Sequence, residues 1–153
     1  MGTVLDAYQR YRELVLSGDF GHLTDVVDED FVENCVGLTG WTRGLDIASA
    51  NFAAGIGAAF PDLTTQEYEH IESTDSLAIR GRAEGTHRGS FLGIGPTGKR
   101  VWWEFADLYR VGADGRINWH FYATDWNLVR LQLAGQAPDL PTTPERRAVQ
   151  TEA

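Results

Sequence analysis

The sequence is poor in cysteine and in positive charge, and it contains no long apolar run. Cys35 is the only cysteine among the 153 residues, which excludes an intrachain disulfide, a cysteine-based zinc site and a dithiol redox pair. Lysine and arginine total 13 residues against 22 aspartates and glutamates, with no basic stretch. A nucleic-acid partner or an anionic membrane surface is therefore not expected. No apolar run approaches the ~20 residues that are needed to span a bilayer.

The N-terminal segment also lacks the basic and long apolar regions of a secretory signal. Together with the single cysteine, this predicts a cytoplasmic protein. The length suits one domain with a substantial core, which we place at residues 1–135. Residues 136–153 are polar and contain three prolines, so we predict a flexible C-terminal tail there.

Apolar residues recur first at helical spacing and then at a spacing of two. The part with helical spacing predicts a first helix, which begins after the cap residue Thr3 and ends at Ser17-Gly18. It also predicts a short second helix after Asp19. The other predicted segments are a short strand at 31–36, a loop at 37–44, a helix at 45–60, strands at 64–72 and 76–88, a hairpin at 101–125 and a closing helix ending at Gly135. Strands that follow helices in this way predict an α+β fold, with an antiparallel sheet and helices on one face.

The aromatic hairpin at 101–125 carries the most informative charges. Residues of one parity lie on one face of a strand, and each arm has one mostly apolar face with a single carboxylate, Asp107 or Asp125. Because a carboxylate among aromatic side chains is costly unless it is paired or used, we interpret both as candidate catalytic acids or bases. Asp125 also fits the N-cap of the closing helix, and Asp107 fits a pair with an arginine such as Arg80.

The register of this hairpin decides which side chains meet. One register places Asp107 opposite Phe121, and a shift by one residue places His120 opposite Asp107. Parity predicts that His120 faces away from Asp125, unless a bulge shifts the register.

The strand at 76–88 has one smooth face that suits a curved sheet wrapped around a cavity. The residues of this face are Leu77, Ile79, Gly81, Ala83, Gly85 and His87. His87 is thus a further candidate catalytic residue, because its parity directs it into the cavity. If the strand ends at Gly85, His87 lies at the surface instead.

Residues 93–98 match the dinucleotide-binding pattern G-x-G-x-x-G, which requires a preceding strand and a following helix. Here a strand-like run follows, and Pro96 removes a backbone N–H. A simple connection between strands is the favoured interpretation.

A group of polar and aromatic residues on the helices and strands is predicted to line a substrate pocket with the two carboxylates. For the aromatic members, ordinary core packing is the competing interpretation. The predicted substrate-binding residues are Tyr8, Asn34, Trp41, Asn51, Phe52, Trp103, Phe105, Trp119 and Phe121.

Five features of the chain occur together. They are Ala-Phe-Pro-Asp-Leu at 59–63, Gly-Thr-His-Arg-Gly at 85–89, Phe-Leu-Gly-Ile-Gly-Pro-Thr-Gly-Lys-Arg at 91–100, Asp-Gly-Arg-Ile at 114–117, and Phe121 four residues before Asp125 and a leucine-rich helix. This set resembles the SnoaL-like polyketide cyclase family, and the resemblance extends from about Val4 to Gly135.

The resemblance implies an NTF2-like, cone-shaped α+β barrel, in which a bent antiparallel sheet and N-terminal helices enclose an apolar cavity. It implies an enzyme of polyketide antibiotic biosynthesis that cyclises an aromatic polyketide by intramolecular aldol condensation, without cofactor or metal. The acid/base role then falls on Asp125. Beyond the resemblance, our hypothesis is that Asn34, His87 or Asp107 polarises the carbonyl. Relatives on this fold also include tailoring hydroxylases, epoxide hydrolases and isomerases, and a non-catalytic small-molecule-binding protein is a further alternative.

The outer face of the predicted sheet is more charged but keeps aromatic residues, which predicts a homodimer through this face. The residues predicted there are Arg80, Arg82, Trp102, Glu104, Leu108, Arg110, His120 and Tyr122.

Overall fold

The fold is a curved, open six-stranded sheet with helices over its concave face. The strands are β1 (Val27–Cys35), β2 (Gly40–Arg43), β3 (Thr64–Glu72), β4 (Ser76–Thr86), β5 (Arg100–Val111) and β6 (Ile117–Thr124). The computed structural model describes residues 2–137, and the strand order across the sheet is β2-β1-β6-β5-β4-β3. Among the strands that residues 2–137 form, only β1 and β6 pair in parallel. The predicted α+β class is confirmed, with one parallel pair that the pattern did not indicate.

The helices begin and end close to the predicted positions. They are α1 (Val4–Ser17), α2 (Leu45–Phe52) and α3 (Trp126–Leu133), with a 3-10 helix at Phe20–Asp25. Thr3 and Asp6 cap α1 reciprocally, each side chain accepting a hydrogen bond from the backbone N–H of the other. Gly18 ends α1 in the left-handed conformation, at φ 76°. None of the helices formed by residues 2–137 has the length and hydropathy to cross a membrane.

One local prediction was wrong, and one predicted helix is irregular. The segment predicted as a loop contains β2, a four-residue edge strand that pairs with β1. Its flanking glycines, Gly40 and Gly44, have positive φ values and gave the segment its loop-like composition. The helix predicted at 45–60 changes at Ala53–Gly57 into a π-helical turn, an irregularity that is frequent at functional sites.

Glycine on the concave face of β4 makes room for an aromatic side chain. A Cβ atom at Gly81 would lie 2.6 Å from Cζ of Phe105 and 2.6 Å from the backbone oxygen of Gln66. The Phe105 ring therefore lies directly over Gly81. The smooth face predicted for this strand thus gives the space that a large side chain of the cavity wall, Phe105, occupies.

A β-bulge in β6 reverses the side-chain pattern of the second hairpin arm. Val111 pairs with Ile117, but Arg110 pairs with Trp119, so Asn118 is an extra residue in β6. Beyond the bulge, His120 points to the concave face, and Trp119 points away from it. Neither predicted register holds, because Asp107 lies opposite Tyr122.

Candidate active site

A cavity of about 530 Å³ lies between the concave face of the sheet and the helices α1 and α2. This volume falls in the range of about 300–1,000 Å³ that is usual for small-molecule sites. Its walls are mostly apolar, and they include Leu23, Phe31, Leu45, Ala48, Phe52, Ile56, Phe91 and Phe105. The cavity can therefore take an apolar molecule of several rings.

Four polar side chains form a connected chain on the sheet wall of this cavity. His120 is paired across the sheet with Glu33 on one side and with Tyr109 on the other. Its Nδ1 lies 3.3 Å from Oε2 of Glu33, and its Nε2 lies 3.0 Å from Oδ1 of Asp107. The hydroxyl of Tyr109 donates to the other oxygen of Asp107 at 3.2 Å. All four residues line the cavity.

Aromatic rings hold the imidazole of His120 in place. Tyr109 stacks on it with ring centroids 4.4 Å apart and an angle of 7° between the planes. Phe31 stacks at 6.2 Å and 21°, and Tyr11 meets it edge-on at 6.2 Å. Since both ring nitrogens also have partners, His120 is fixed in position and orientation.

The charges of this cluster follow from its burial and its geometry. Burial by itself would lower the pKa of His120, but the adjacent Asp107 and Glu33 outweigh it and raise the pKa to about 9. His120 is therefore an imidazolium at neutral pH.

The thiol and two tyrosine hydroxyls of the cavity are neutral at physiological pH. Burial, followed by the nearby Glu33 and Asp107, raises the pKa of the Cys35 thiol to about 12. Burial also raises the pKa values of Tyr11 and Tyr122 well above their usual value. A thiolate nucleophile is thus not available in this cavity, whereas the tyrosine hydroxyls keep their protons.

The cluster does not have the geometry of a metal site. Each imidazole nitrogen of His120 faces a different carboxylate, so the three groups do not converge on one point. Over the described range 2–137, no group of three or more His, Cys, Asp or Glu side chains could hold a metal ion.

The comparison with protein families identifies the group to which this chain belongs. The sequence model described as SnoaL-like polyketide cyclase matches residues 5–133. The chain is a member of the SnoaL-like polyketide cyclase family. The resemblance predicted from the sequence is thereby confirmed. No curated protein sequence matches the chain.

Solved structures of this family share the fold. A candidate SnoaL-like polyketide cyclase from Jannaschia sp. CCS1 has a TM-score of 0.77 and 22% identity, covering 88% of this chain and 92% of that one. IdmH, a candidate polyketide cyclase from Streptomyces antibioticus, has a TM-score of 0.74 and 28% identity, covering 88% and 99%. AclR, a candidate hydroxylase from Streptomyces galilaeus, has a TM-score of 0.71 and 22% identity, covering 90% and 97%. The predicted NTF2-like α+β architecture is therefore confirmed, with a sheet that remains open.

In this SnoaL-like chain, the cavity contains about half of the residues predicted for it. Asp107 lies on the concave face of β5 and is 5% exposed, as its parity predicts. The predicted substrate-binding residues that line the cavity are Tyr8, Asn51, Phe52, Trp103 and Phe105.

Four predicted substrate-binding residues are not among those that line the cavity. The bulge at Asn118 turns Trp119 and Phe121 to the convex face. Trp41 lies on edge strand β2 with its ring 5.8 Å from that of Trp119, and it is 57% exposed. Asn34 pairs directly with Phe121 and with Trp41, so it shares their face. The prediction that these four residues line the pocket was wrong, as was the prediction that His120 and Tyr122 lie on the convex face.

Asp125 lies outside the cavity and caps α3. Its side chain is exposed, and Oδ1 accepts a hydrogen bond from the backbone N–H of Leu128 at 3.0 Å. The bulge in β6 removes Asp125 from the face that parity assigned to it. Of the two positions considered for Asp125, the N-cap of the closing helix is therefore the observed one. The prediction that Asp125 lies in the pocket was wrong.

His87 is fully buried but is not among the residues that line the cavity. Its Nδ1 lies 3.0 Å from the hydroxyl oxygen of Thr97, and its ring lies 5.7 Å from that of Phe60. Burial lowers its pKa. Neither of the two predicted positions, in the cavity or at the surface, is correct, because His87 lies in the core behind Phe60.

Glu33, Tyr109 and Tyr122 belong to the site but were not predicted from the sequence, and the predicted orientation of His120 was wrong. Glu33 and His120 are 87 positions apart in the chain, and only the parallel pairing of β1 with β6 brings them together. Two features considered in the sequence pointed to this contact. They are a bulge in the second arm of the hairpin and the register that pairs His120 with Asp107. The residues between 93 and 98 connect strands as predicted, since β5 begins at Arg100.

Proposed function

We propose that this protein performs cofactor-independent acid/base catalysis on an aromatic polyketide intermediate, by intramolecular aldol cyclisation. The observation that carries the proposal is the hydrogen-bonded chain from Glu33 through His120 to Asp107 on the wall of an apolar cavity. Membership of the SnoaL-like polyketide cyclase family supports it. The name of IdmH, which is described as a candidate polyketide cyclase, points the same way.

Glu33 is the group that we assign as the base. Both nitrogens of His120 have carboxylate partners, so the imidazolium cannot accept a proton. Both oxygens of Asp107 also have partners, His120 and Tyr109. Among the described contacts, Glu33 uses only Oε2. Its Oε1 is thus free to remove a proton from carbon next to a substrate carbonyl, and the protonated carboxyl then returns that proton to the new alkoxide.

Asp107 and Tyr109 act on His120 in this proposal rather than on the substrate. Asp107 holds the imidazolium charge, and Tyr109 fixes Asp107 and stacks on His120. The His120 ring, held in this way, lies next to the Glu33 side chain and orients it in the cavity.

The cavity supplies the other requirement of an aldol cyclisation. Two ends of one flexible molecule must approach each other, and holding them together can contribute several powers of ten to the rate. Aromatic wall residues such as Phe52 and Phe105 suit a folded polyketide substrate that is converted into flat rings.

A bicyclic ketone, 2-tetralone, offers a direct test of proton abstraction. We expect the wild-type protein to exchange the hydrogens next to the carbonyl of 2-tetralone for deuterium, measured by NMR. Glu33→Gln should lower this rate by about 10²–10⁴-fold, the usual contribution of a general base. Asp125→Asn, which keeps the helix cap, should exchange at the wild-type rate. Absence of exchange, or a fully active Glu33→Gln variant, would contradict the proposal.

A hydroxylase is the second candidate function, because AclR is described as a candidate hydroxylase and shares the fold. Oxygen uptake with an anthrone substrate, in the presence of reduced flavin or NADPH, would identify it. Tight binding of 2-tetralone with neither exchange nor oxygen uptake would instead indicate a binding protein.

A further inference from the structure

The hydroxyl of Tyr122 is a proton donor that the acid/base chain of the cavity does not use. Tyr122 follows His120 by two residues in β6 and lines the same wall. Its oxygen accepts a hydrogen bond from the indole Nε1–H of Trp103 at 2.6 Å. Across residues 2–137, no side chain or backbone oxygen accepts the proton of this hydroxyl.

Two aromatic rings pack against the Tyr122 ring and fix its position. Phe105 stacks on it with centroids 5.6 Å apart and an angle of 21°, and Trp126 stacks at 6.1 Å and 28°. Trp126 is itself fixed, because its indole N–H donates to the backbone oxygen of Val36 at 2.8 Å. The direction in which the Tyr122 hydroxyl can donate is therefore set before a substrate enters.

The contact with Trp103 also strengthens Tyr122 as a donor. A hydroxyl that accepts a hydrogen bond becomes a better donor through its own proton, because the two bonds polarise each other. Trp103 is fully buried, so its N–H remains with the Tyr122 oxygen. Burial raises the pKa of Tyr122 well above its usual value, and the proton therefore stays on the hydroxyl.

We propose that Tyr122 donates a hydrogen bond to the substrate carbonyl oxygen and stabilises the enolate that forms when the neighbouring carbon loses its proton. This inference rests on the proposed function, since it needs proton removal at the same wall. The rings of His120 and Tyr122 lie 6.3 Å apart between centroids. Since Tyr122, His120 and Glu33 line the same cavity, one substrate can contact the Tyr122 hydroxyl and the Glu33 carboxylate together.

The test combines the exchange of 2-tetralone with the ionisation of 2-naphthol, an aromatic alcohol whose anion resembles an enolate. Tyr122→Phe keeps the ring that packs against Phe105 and Trp126 and removes only the donor. We expect this variant to slow exchange by about 10²-fold, as for a lost oxyanion donor, and to leave 2-naphthol binding in place. The ratio of bound naphtholate to bound naphthol, measured by absorbance, should fall about tenfold, as for one hydrogen bond to an anion.

Tyr68→Phe is the matched control, because it removes a hydroxyl from a tyrosine that does not line the cavity. It should leave both measurements at their wild-type values. Incorporation of 3-fluorotyrosine at position 122 provides a second variant of nearly unchanged shape and greater acidity. It should raise the bound naphtholate fraction above the wild-type value, which keeps the test decisive if Tyr122→Phe does not fold.

The two proposals can fail separately. If the wild-type protein exchanges 2-tetralone, and Tyr122→Phe shows the same exchange rate and the same naphthol ionisation, the role of Tyr122 is overturned. The proposed function then still stands. Naphthol ionisation that depends on Tyr122, without any exchange of 2-tetralone, would uphold the donor and overturn proton abstraction. Failure of the wild-type protein to bind 2-naphthol would overturn the donor role.

Discussion

His120 Nε2 lies 3.0 Å from Asp107 Oδ1, although the two residues are on different strands and are not directly paired. The extra residue Asn118 in β6 makes this contact possible, since without it the side chain of His120 would point to the convex face. The charge arrangement of the cavity therefore depends on one strand irregularity. Bulges next to functional sites often redirect a side chain in this way.

The ion pairs of His120 predict a specific dependence of stability on pH. The pKa of His120 is raised to about 9 in the folded protein, against about 6.5 in an unfolded chain. A raised pKa stabilises the folded state fully below about pH 6.5, and this stabilisation is lost as the pH rises through about 9. At about 1.4 kcal/mol per pKa unit, the loss amounts to at most about 3.5 kcal/mol. Urea unfolding between these pH values measures it.

The control for this prediction is His120→Gln, which keeps hydrogen-bonding groups but cannot titrate. The difference in unfolding free energy between wild type and variant should shrink as the pH rises from 6.5 to 9. A constant difference over this interval would show that His120 does not carry the positive charge.

Asp125 has a predicted role in stability alone. Because its carboxylate caps α3 through the N–H of Leu128, Asp125→Ala should lower the free energy of unfolding by about 1 kcal/mol. Asp125→Asn should cost less, since asparagine caps equally well. Both variants should exchange 2-tetralone at the wild-type rate once folded. A loss of exchange in Asp125→Asn at unchanged stability would return Asp125 to the catalytic role that the family resemblance implied.

The sequence predicted those features that depend on neighbouring residues. The cap at Thr3, the end of α1 at Gly18, and the inward face of β5 with Asp107 all follow from spacing and local chemistry. The whole of β3 was predicted with its correct bounds, Thr64–Glu72. The family resemblance then supplied the fold class.

The composition of the site could not be predicted in the same way. Glu33 meets His120 only through a parallel pairing between distant strands, and no local pattern specifies that pairing. The orientation of His120 depends on one extra residue, and a shift of one residue exchanges every side chain of a strand between its faces. This explains why Trp119 and Phe121 were assigned to the wrong face while Tyr122 was missed.

Gly81 provides a test of how tightly the sheet wall is packed. In Gly81→Ala, the new Cβ would lie 2.6 Å from both Phe105 Cζ and the backbone oxygen of Gln66. Since the backbone cannot yield easily, we expect the free energy of unfolding to fall by about 1–3 kcal/mol. Gly55→Ala is the control, because no atom lies within 4 Å of a Cβ there. Its stability in urea unfolding should equal or exceed that of the wild type, and equal losses in both variants would contradict this account.

The convex face carries an apolar row that runs from the edge strand β3 across β4 and β5 to β6. Ile71 pairs with Ala78, Ala78 with Leu108, and Leu108 with Phe121. Ile71 is 75% exposed and Leu108 is 43% exposed, which is unusual for large apolar side chains in a row. Arg110 lies over the ring of Trp119 beside it, 5.0 Å from the centroid. Such a row with flanking charges is typical of an interaction surface.

We expect two copies of the chain to associate through this face, as a homodimer. Leu108→Glu places a charge in the middle of the row, and it should weaken the dimer by at least tenfold in sedimentation equilibrium, since burying an unpaired carboxylate is costly. Ile47→Glu makes an equivalent change on α2, where Ile47 is 48% exposed, and it should leave association unchanged. Because Leu108 does not line the cavity, exchange of 2-tetralone should persist in the Leu108→Glu monomer. A wild-type protein that sediments as a monomer at micromolar concentration would refute this surface as a dimer interface.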